Sequence, residues 1–324
     1  MISQDKSKQD YEFYKYVGDY YGKFFLFFNK IEYFGLENIV KDKPGIIAPN
    51  HAGSAKDIFV MYEIFKQMDT QLFFAARDEL FDKDQTFKMV KQHLKAHTGI
   101  LSSFVPDWRL DEFAEFCSSS LESVGTIPCD LNHKGSSQRD KRRSNYASIK
   151  KMEQYVCEMG RKIVVYQFDK EKLKADRHAF FHEAKKGAAI VAHSAYKDYG
   201  AAIPVYPVAI LGSKGLMPWY MITELERKPI KINFGQPLEI TSFINEKNPV
   251  ESMRAELESR IWHLLRDLAR KKDKGTILYP SEKFKFFDFL ATLLVKGEKQ
   301  NLIYPGRHQS QSQPSPYEPP SQSM

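Results

Sequence analysis

Short apolar segments typical of β-strands alternate along this chain with longer segments of helical periodicity. Strands that alternate with helices form parallel pairs through crossover connections. We therefore predict an α/β fold, a single domain with a mainly parallel central sheet flanked by helices. Predicted strands cover residues 46–48, 71–76, 125–130, 162–168, 203–210, 217–223 and 230–235. Predicted helices cover about 55–68, 85–97, 107–122, 145–158, 179–197 and 249–271, the last with Asn248 as its cap and Pro249 in its first turn.

Composition limits the classes of protein that the chain can form. Of its 324 residues 42% are hydrophobic, which is enough for a sizeable core and excludes disorder of the whole chain. The three cysteines, Cys117, Cys129 and Cys157, are too few for a disulfide scaffold and lack the spacing of a structural zinc site. No apolar run reaches the ~18 residues of a membrane-spanning helix, and the charged N-terminus lacks the apolar core of a signal peptide. We therefore expect a cytoplasmic protein.

The charge balance favours anionic partners. The formal net charge is +7 and the isoelectric point is near 9.0. Phosphate head groups, coenzymes and a membrane surface are partners of suitable charge. Neither a nucleic-acid-binding motif nor a glycine-rich phosphate loop accompanies the charge, so nucleic acid is not an expected partner.

Two apolar segments flank the predicted domain. The first is amphipathic and carries Phe24, Phe25 and Phe28. Either segment could pack on the core or lie on a lipid surface, which would make the protein a peripheral membrane protein. The predicted organisation is an amphipathic helical segment at 1–34, the domain at 35–275, an apolar helical segment at 276–307 and a disordered Pro/Ser/Gln-rich tail at 308–324.

The residues most informative about chemistry follow the first predicted strand. His51 comes directly after Asn50, and Asp57 opens the next helix. A histidine suits proton abstraction near neutral pH, and an acid that holds one ring nitrogen makes the other a better base. Residues six apart do not face each other on one helix, so this pair requires His51 in the loop and Asp57 in the first helical turn. Gly53 permits the bend, and Ser54 is a good N-cap beside which backbone N–H groups could stabilise an oxyanion.

An Asn-His turn followed by an acid that opens a helix resembles the first motif of the glycerophospholipid acyltransferases, which include the 1-acylglycerol-3-phosphate acyltransferases. Five further stretches resemble later parts of that family's domain, so the resemblance extends over roughly residues 30–270. They are QLFFAARDELF at 71–81, GTIPCD at 125–130, KKGAAIVA at 185–192, IPVYPVAI at 203–210 and IKINFGQPL at 230–238.

The resemblance implies the reaction. A fatty acyl group would move from an acyl thioester, acyl-CoA or acyl-ACP, to a hydroxyl of glycerol 3-phosphate or of a lysophospholipid. His51 would be the general base and Asp57 its partner. No metal or other cofactor is implied. His178 and His182 are four residues apart, as in metal-binding pairs, but no third ligand with suitable spacing accompanies them.

The chain departs from the family pattern in three motifs. Five residues rather than four separate His51 from Asp57, and Leu131 stands where the second motif usually has an Arg. The third motif, normally Phe-Pro-Glu-Gly-Thr, is replaced by the sequence YQFD at 166–169. These departures favour an alternative, a lipid-binding or scaffolding relative that has lost catalysis.

A basic cluster offers a replacement for the acceptor-phosphate site. The stretch 138–151 reads QRDKRRSNYASIKK. The overlapping run 145–152, which a predicted strand follows, also resembles the soluble glycerol-3-phosphate acyltransferases. Arginine suits bidentate phosphate binding, whereas the alternative is a solvated basic helix face. The predicted substrate-binding residues are Asn50, Ser54, Asp130, Arg139, Arg142, Arg143 and Arg177.

Overall fold

The computed structural model describes residues 30–50, 56–98, 106–120, 126–129, 138–168, 184–213, 229–271 and 274–278. The chain divides into two units, Met1–Phe284 and Lys285–Met324, and every described residue lies in the first. The predicted α/β class is confirmed, because helices flank a central sheet in this unit.

Eight strands form the sheet within the described residues. The six described α-helices are numbered in chain order, and short 3₁₀ turns join some of the elements. The strands are β1 (Ile31–Phe34), β2 (Gly45–Pro49), β3 (Leu72–Arg77), β4 (Ile127–Cys129), β5 (Lys162–Val164), β6 (Val205–Leu211), β7 (Ile230–Phe234) and β8 (Thr276–Leu278). The helices are α1 (Lys56–Gln67), α2 (Lys83–Thr98), α3 (Asp107–Ser120), α4 (Gln138–Cys157), α5 (Gly187–Tyr199) and α6 (Pro249–Arg270).

The strand order is β4-β3-β5-β2-β6-β7-β1-β8. The first five strands of this order run parallel to one another. Strand β7 is antiparallel to β6, β1 is parallel to β7, and β8 is antiparallel to β1. The sheet is therefore mainly parallel, as predicted, and the carboxyl ends of five neighbouring strands lie along one edge.

Alternate residues of the central strands enter two separate cores. Ile46 and Ala48 pack on the face covered by α4, α5 and α6, whereas Ile47 between them packs on the face covered by α1. This follows from the period of two in a strand. Because both faces are buried, β2 consists of apolar residues throughout, a composition typical of parallel strands between helical layers.

Some predicted boundaries are wrong. Residues 31–34 form β1 rather than the end of an N-terminal helix, since they pair with both β7 and β8. Residues 276–278 likewise form a strand rather than the start of a helix. Residues 184–186 precede α5 rather than belonging to it, because Glu258 accepts the N–H of Ala184 and Gln167 accepts that of Lys185.

Several predictions fall on residues outside the described part of the chain. They concern the amphipathic helix before residue 30, the strand at 217–223, the apolar segment beyond residue 278 and the tail. The parts of the predicted terminal segments that lie outside residues 30–278 therefore stay predictions.

Candidate functional site

The edge formed by the carboxyl ends of the parallel strands contains a topological switch point. Strands β2 and β5 are adjacent and parallel. The chain leaves β2 to form α1 on one face of the sheet, and the helix that follows β5, α5, packs on the opposite face. Ligands of open α/β sheets bind in the crevice outside the strand ends at such a point. The turn after β2 carries Asn50 and His51, so the predicted reactive segment starts at this switch point.

Asn50 extends the pairing of β2 with β6 through its side chain. Its Nδ2 donates to the carbonyl oxygen of Ile210 at 3.0 Å, and its Oδ1 accepts the N–H of the same residue at 2.6 Å. Its main-chain N–H donates to the oxygen of Val208 at 3.1 Å. Both ends of the amide are therefore engaged by the protein. These hydrogen bonds hold Asn50 in place. Because Asn50 immediately precedes His51, the arrangement gives it a positioning role.

Asp57 lies in the first turn of α1, where the sequence places it, and has no exposed surface. The N-terminus of a helix favours negative charge. A buried carboxylate is retained only where charge or hydrogen-bond partners stabilise it. His51 and Ser54 belong to residues 51–55, which lie outside the described part of the chain, so the predicted pairing of His51 with Asp57 stays a prediction.

Tyr166 is a neighbour of Asp57 that the sequence does not reveal. It follows β5 and packs against the core on the α1 face, together with Ile58 and Phe59. Its phenolic oxygen is buried. Burial and then the negative charge of Asp57 hold the pKa of Tyr166 well above its usual value. The phenol therefore keeps its proton at neutral pH.

Gln167 is buried beside the end of β2. Its main-chain N–H donates to the carbonyl oxygen of Pro49 at 3.0 Å, and its side-chain amide donates to the oxygen of Val165. Its side-chain carbonyl Oε1 is also buried and has no hydrogen-bond partner among the described residues. A buried acceptor of this kind is available to a hydroxyl or N–H donor. In the sequence Tyr166 and Gln167 mark only the loss of the third motif.

The remaining predicted site residues are only partly described. Asp130 and Arg177 lie outside the described residues. Arg139 and Arg142 belong to α4, with side chains that are not described, and Arg143 on the same helix is exposed.

Lys150, further along α4, contributes to fold stability rather than to a free basic surface. Its Nζ lies 2.7 Å from Glu153 Oε2 and also pairs with Asp198 of α5. Hydrogen bonds to these two carboxylates raise its pKa. The basic cluster available to a phosphate therefore narrows to the first turns of α4.

The described residues contain neither a candidate metal site nor a helix that could span a membrane. No group of three or more His, Cys, Asp or Glu residues in that part of the chain could hold a metal ion. None of its helices combines the length and the apolar character needed to cross a membrane.

One region of the chain is similar to a known protein family. Residues 30–98 match the family Acyltransferase. The matched region contains β1, β2, α1, β3 and α2, and therefore both the Asn50-His51 turn and Asp57. This match agrees with the resemblance to the glycerophospholipid acyltransferases that the sequence motifs indicate.

No curated protein shows significant sequence similarity to the chain. Among the solved structures that are similar to it is that of the 1-acyl-sn-glycerophosphate (LPA) acyltransferase PlsC from Thermotoga maritima. It has 17% sequence identity and a TM-score of 0.47, over 85% of this chain and 86% of the PlsC chain. A likeness at this level does not by itself establish a shared function.

Proposed function

We propose that the protein transfers a fatty acyl group from an acyl thioester to a hydroxyl of glycerol 3-phosphate or of a lysophospholipid. The observation that carries this proposal is the position of Asp57. It is fully buried in the first turn of α1, six residues after His51, within the region that matches the acyltransferase family. The donor is acyl-CoA or acyl-ACP, and no further cofactor takes part.

In the proposed reaction His51 removes the proton from the acceptor hydroxyl as its oxygen attacks the thioester carbonyl. The carbonyl π bond opens to give a tetrahedral oxyanion. Collapse of this intermediate breaks the C–S bond, and the thiolate takes the proton from the imidazolium. Asp57 orients the imidazole and stabilises its positive charge.

Backbone N–H groups at the start of α1 are the proposed donors to the oxyanion. The first N–H groups of a helix have no intrahelical acceptor, and the helix dipole places positive potential there. Since α1 begins at Lys56, directly after the turn that contains His51 and Ser54, these groups suit this role.

The start of α4 is the proposed site for the acceptor phosphate, through Arg139, Arg142 and Arg143. Basic side chains in the first turns of a helix are repelled by its dipole, so a bound anion would stabilise them. Arg177 is proposed as a second phosphate ligand, and Ser54 and Asp130 stay proposed contacts of the substrate region. Asn50, whose amide is engaged by Ile210, is proposed instead to position the start of this region.

Peripheral attachment to the membrane is also proposed, since at least one substrate or product is a lipid. The amphipathic segment 1–34 would lie at the head-group boundary. We expect co-sedimentation with anionic vesicles that weakens with salt and drops when Phe24, Phe25 and Phe28 are changed to Ser. Retention of the triple variant on the vesicles would exclude this segment as the anchor.

A purified-protein assay tests the reaction. Palmitoyl-CoA and palmitoyl-ACP are each offered with glycerol 3-phosphate and with lysophosphatidic acid, and the acylated product is quantified. We expect turnover with at least one pair and a loss of about 10²–10⁴-fold in His51→Ala, the contribution of a positioned base. His263→Ala, a change of a described histidine on α6, is the control and should stay active.

The assay also separates the catalytic proposal from its alternative. If wild-type protein binds the acceptor lipid but forms no product with any pair, the chain is a lipid-binding relative of the family. Full turnover by a correctly folded His51→Ala protein would instead leave acyl transfer in place and exclude His51 as its base.

A further inference from the structure

The antiparallel pairing of β1 with β8 brings the two ends of the described chain together. Ile31, the first residue of β1, pairs with Leu278, the last residue of β8. Lys30 is held at the same place, because its carbonyl oxygen accepts the N–H of Ile230 at 2.8 Å. The segment before residue 30 and the segment after residue 278 therefore join the sheet at one corner, which we call the β1–β8 corner.

This corner lies on the ligand edge of the sheet, the edge formed by the carboxyl ends of the five parallel strands. Strand β7 is antiparallel to β6, and Leu211 at the end of β6 pairs with Lys231 near the start of β7. Strand β1 is parallel to β7, and the first residues of the two strands pair with each other. The chain therefore enters β1 and leaves β8 at the same edge at which Asn50 follows β2.

Both segments that join the sheet at this corner have a sequence suited to a lipid surface. The first contains the run FFLFF at 24–28, and the second contains FKFFDFLATLLV at 284–295. Aromatic and aliphatic side chains enter the head-group boundary of a bilayer, while lysines contact anionic head groups. The lysines within or beside these two runs are Lys23, Lys30, Lys283, Lys285 and Lys296.

The distance along the chain keeps both runs close to the corner. Phe28 is two residues before Lys30, and Phe284 is six residues after Leu278. Six residues of fully extended chain span at most about 20 Å. A membrane that takes up both runs must therefore pass near the β1–β8 corner, on the ligand edge of the sheet.

We propose that an anionic lipid bilayer docks at the β1–β8 corner, so that both apolar runs contact one membrane surface and the ligand edge of the sheet is turned towards it. The inference rests on the proposed peripheral attachment and goes further in two respects. It adds a second lipid-binding segment after β8, and it states which edge of the domain lies nearest the bilayer. It does not depend on the proposed reaction or on its base.

Substitutions in the second run test its contribution. In the full-length chain Phe286, Phe287 and Phe289 are changed to Ser, and binding is measured by co-sedimentation with vesicles of phosphatidylcholine and phosphatidylglycerol. We expect the partition coefficient to fall at least about tenfold, because three aromatic side chains no longer enter the head-group boundary. If this variant binds the vesicles like wild type, the inference is wrong.

Two exposed apolar residues of the described chain test the orientation. Leu211 is 38% exposed on the ligand edge, whereas Val40, 46% exposed, lies on the opposite edge between β1 and β2. Leu211→Glu places a negative charge near anionic lipid, and we expect about fivefold weaker vesicle binding. Val40→Glu should bind like wild type. Equal effects of the two changes, or a larger effect at Val40, would overturn the proposed orientation.

Leu211→Lys separates the effect of charge from that of a lost apolar side chain. It removes the same leucine but introduces the opposite charge, so it should bind the anionic vesicles at least as strongly as wild type. If Leu211→Lys weakens binding as much as Leu211→Glu, the charge at this position does not face lipid, and the proposed orientation fails.

Failure of the inference and failure of the proposed function give different results. If wild type binds the vesicles and only the change of Phe24, Phe25 and Phe28 to Ser weakens binding, peripheral attachment stands and the inference is wrong. If wild type does not bind anionic vesicles at low salt, both the attachment and the inference fail. Turnover in the assay of acyl transfer is measured separately and decides the proposed reaction in either case.

Discussion

The two ends of β5 both bury polar side chains, but with different consequences. At the amino end Lys162 is 2% exposed, and its Nζ donates to the carbonyl oxygen of Lys43 at 2.7 Å and to that of Lys41. At the carboxyl end Tyr166 and Gln167 are buried beside Asp57 and the last residue of β2.

The difference lies in what the polar groups face. Lys162 faces main-chain oxygens of the loop before β2, so its charge holds that loop and is fully occupied there. Tyr166 packs against the same apolar core as the residues that follow Asp57, and the negative charge of Asp57 helps to raise its pKa. Burial of a polar group therefore does not by itself mark an active site. A second titratable group at the ligand-binding edge is the stronger indication.

The largest expected effect belongs to Asp57→Asn. Asparagine keeps the shape of the side chain but cannot stabilise an imidazolium, so we expect kcat to fall by about 10²-fold or more. Asp84→Asn is a matched control, since Asp84 is also an acid in the first turn of a helix but is exposed. Steady-state kinetics gives kcat for both variants. If Asp57→Asn were as active as Asp84→Asn, the functional difference between the two ends of β5 would be lost.

Asn50→Ala should affect both stability and activity, because Asn50 is structural and yet adjacent to the base. The change removes two hydrogen bonds to Ile210. We expect the free energy of unfolding to fall by about 1–3 kcal/mol. We also expect roughly tenfold lower kcat as His51 loses its fixed neighbour. Urea unfolding and kinetics on the same preparation check this, and a stable variant with normal kcat would contradict the positioning role.

Lys162→Met should affect stability alone. It removes the donor to two main-chain carbonyl groups, and we expect the free energy of unfolding to fall by about 1–2 kcal/mol. The kcat of the remaining folded protein should equal that of wild type, because Lys162 lies at the opposite end of β5 from Asp57. A catalytic defect comparable to that of Asp57→Asn would break the distinction between the two ends.

The smallest effect is the pH dependence of the Lys162 contribution. Burial lowers the pKa of Lys162 from its usual 10.5 to about 8. Between these values the unfolded chain binds the proton more tightly than the folded protein, so this residue makes stability rise as the pH increases. Below pH 8 the Lys162 side chain is charged in the folded protein as well as in the unfolded chain. The free energy of unfolding then carries the full cost of burying this charge.

We therefore expect the stability of wild type relative to Lys162→Met to increase by ~1 kcal/mol between pH 7.5 and 9.5. The difference between the two proteins isolates the contribution of Lys162 from those of other titrating groups. Denaturant unfolding at the two pH values measures it. If the difference in the free energy of unfolding between the two proteins were the same at both pH values, burial would not destabilise the charged form of Lys162.

Local signals account for the parts of the fold that were predicted correctly. Asn248 caps α6, and its Oδ1 accepts the N–H of Glu251 at 3.3 Å, as expected for Asn followed by Pro in the first turn. Strand β2 was recognised because both of its faces are apolar. These features depend on neighbouring residues and are therefore readable from the sequence.

Features that depend on distant residues were missed. Strands β1 and β8 are short, and they pair with each other across most of the chain. The N–H of Gly275, directly before β8, donates a hydrogen bond to Oε1 of Glu32 in β1 at 2.6 Å. No local periodicity identifies three or four residues as an edge of a sheet when such long-range contacts supply the stability.

The sequence by itself determined the alternation of strands and helices, the acid in the first turn of α1 and the motif that resembles the first motif of the glycerophospholipid acyltransferases. These follow from spacing, capping and the chemistry of adjacent side chains. Only the tertiary structure decided that β5 lies beside β2, and hence that Tyr166 and Gln167 border the turn that leads to His51 and Asp57. Strand order depends on how two helical layers bury both faces of the sheet, and this packing is a property of the whole domain.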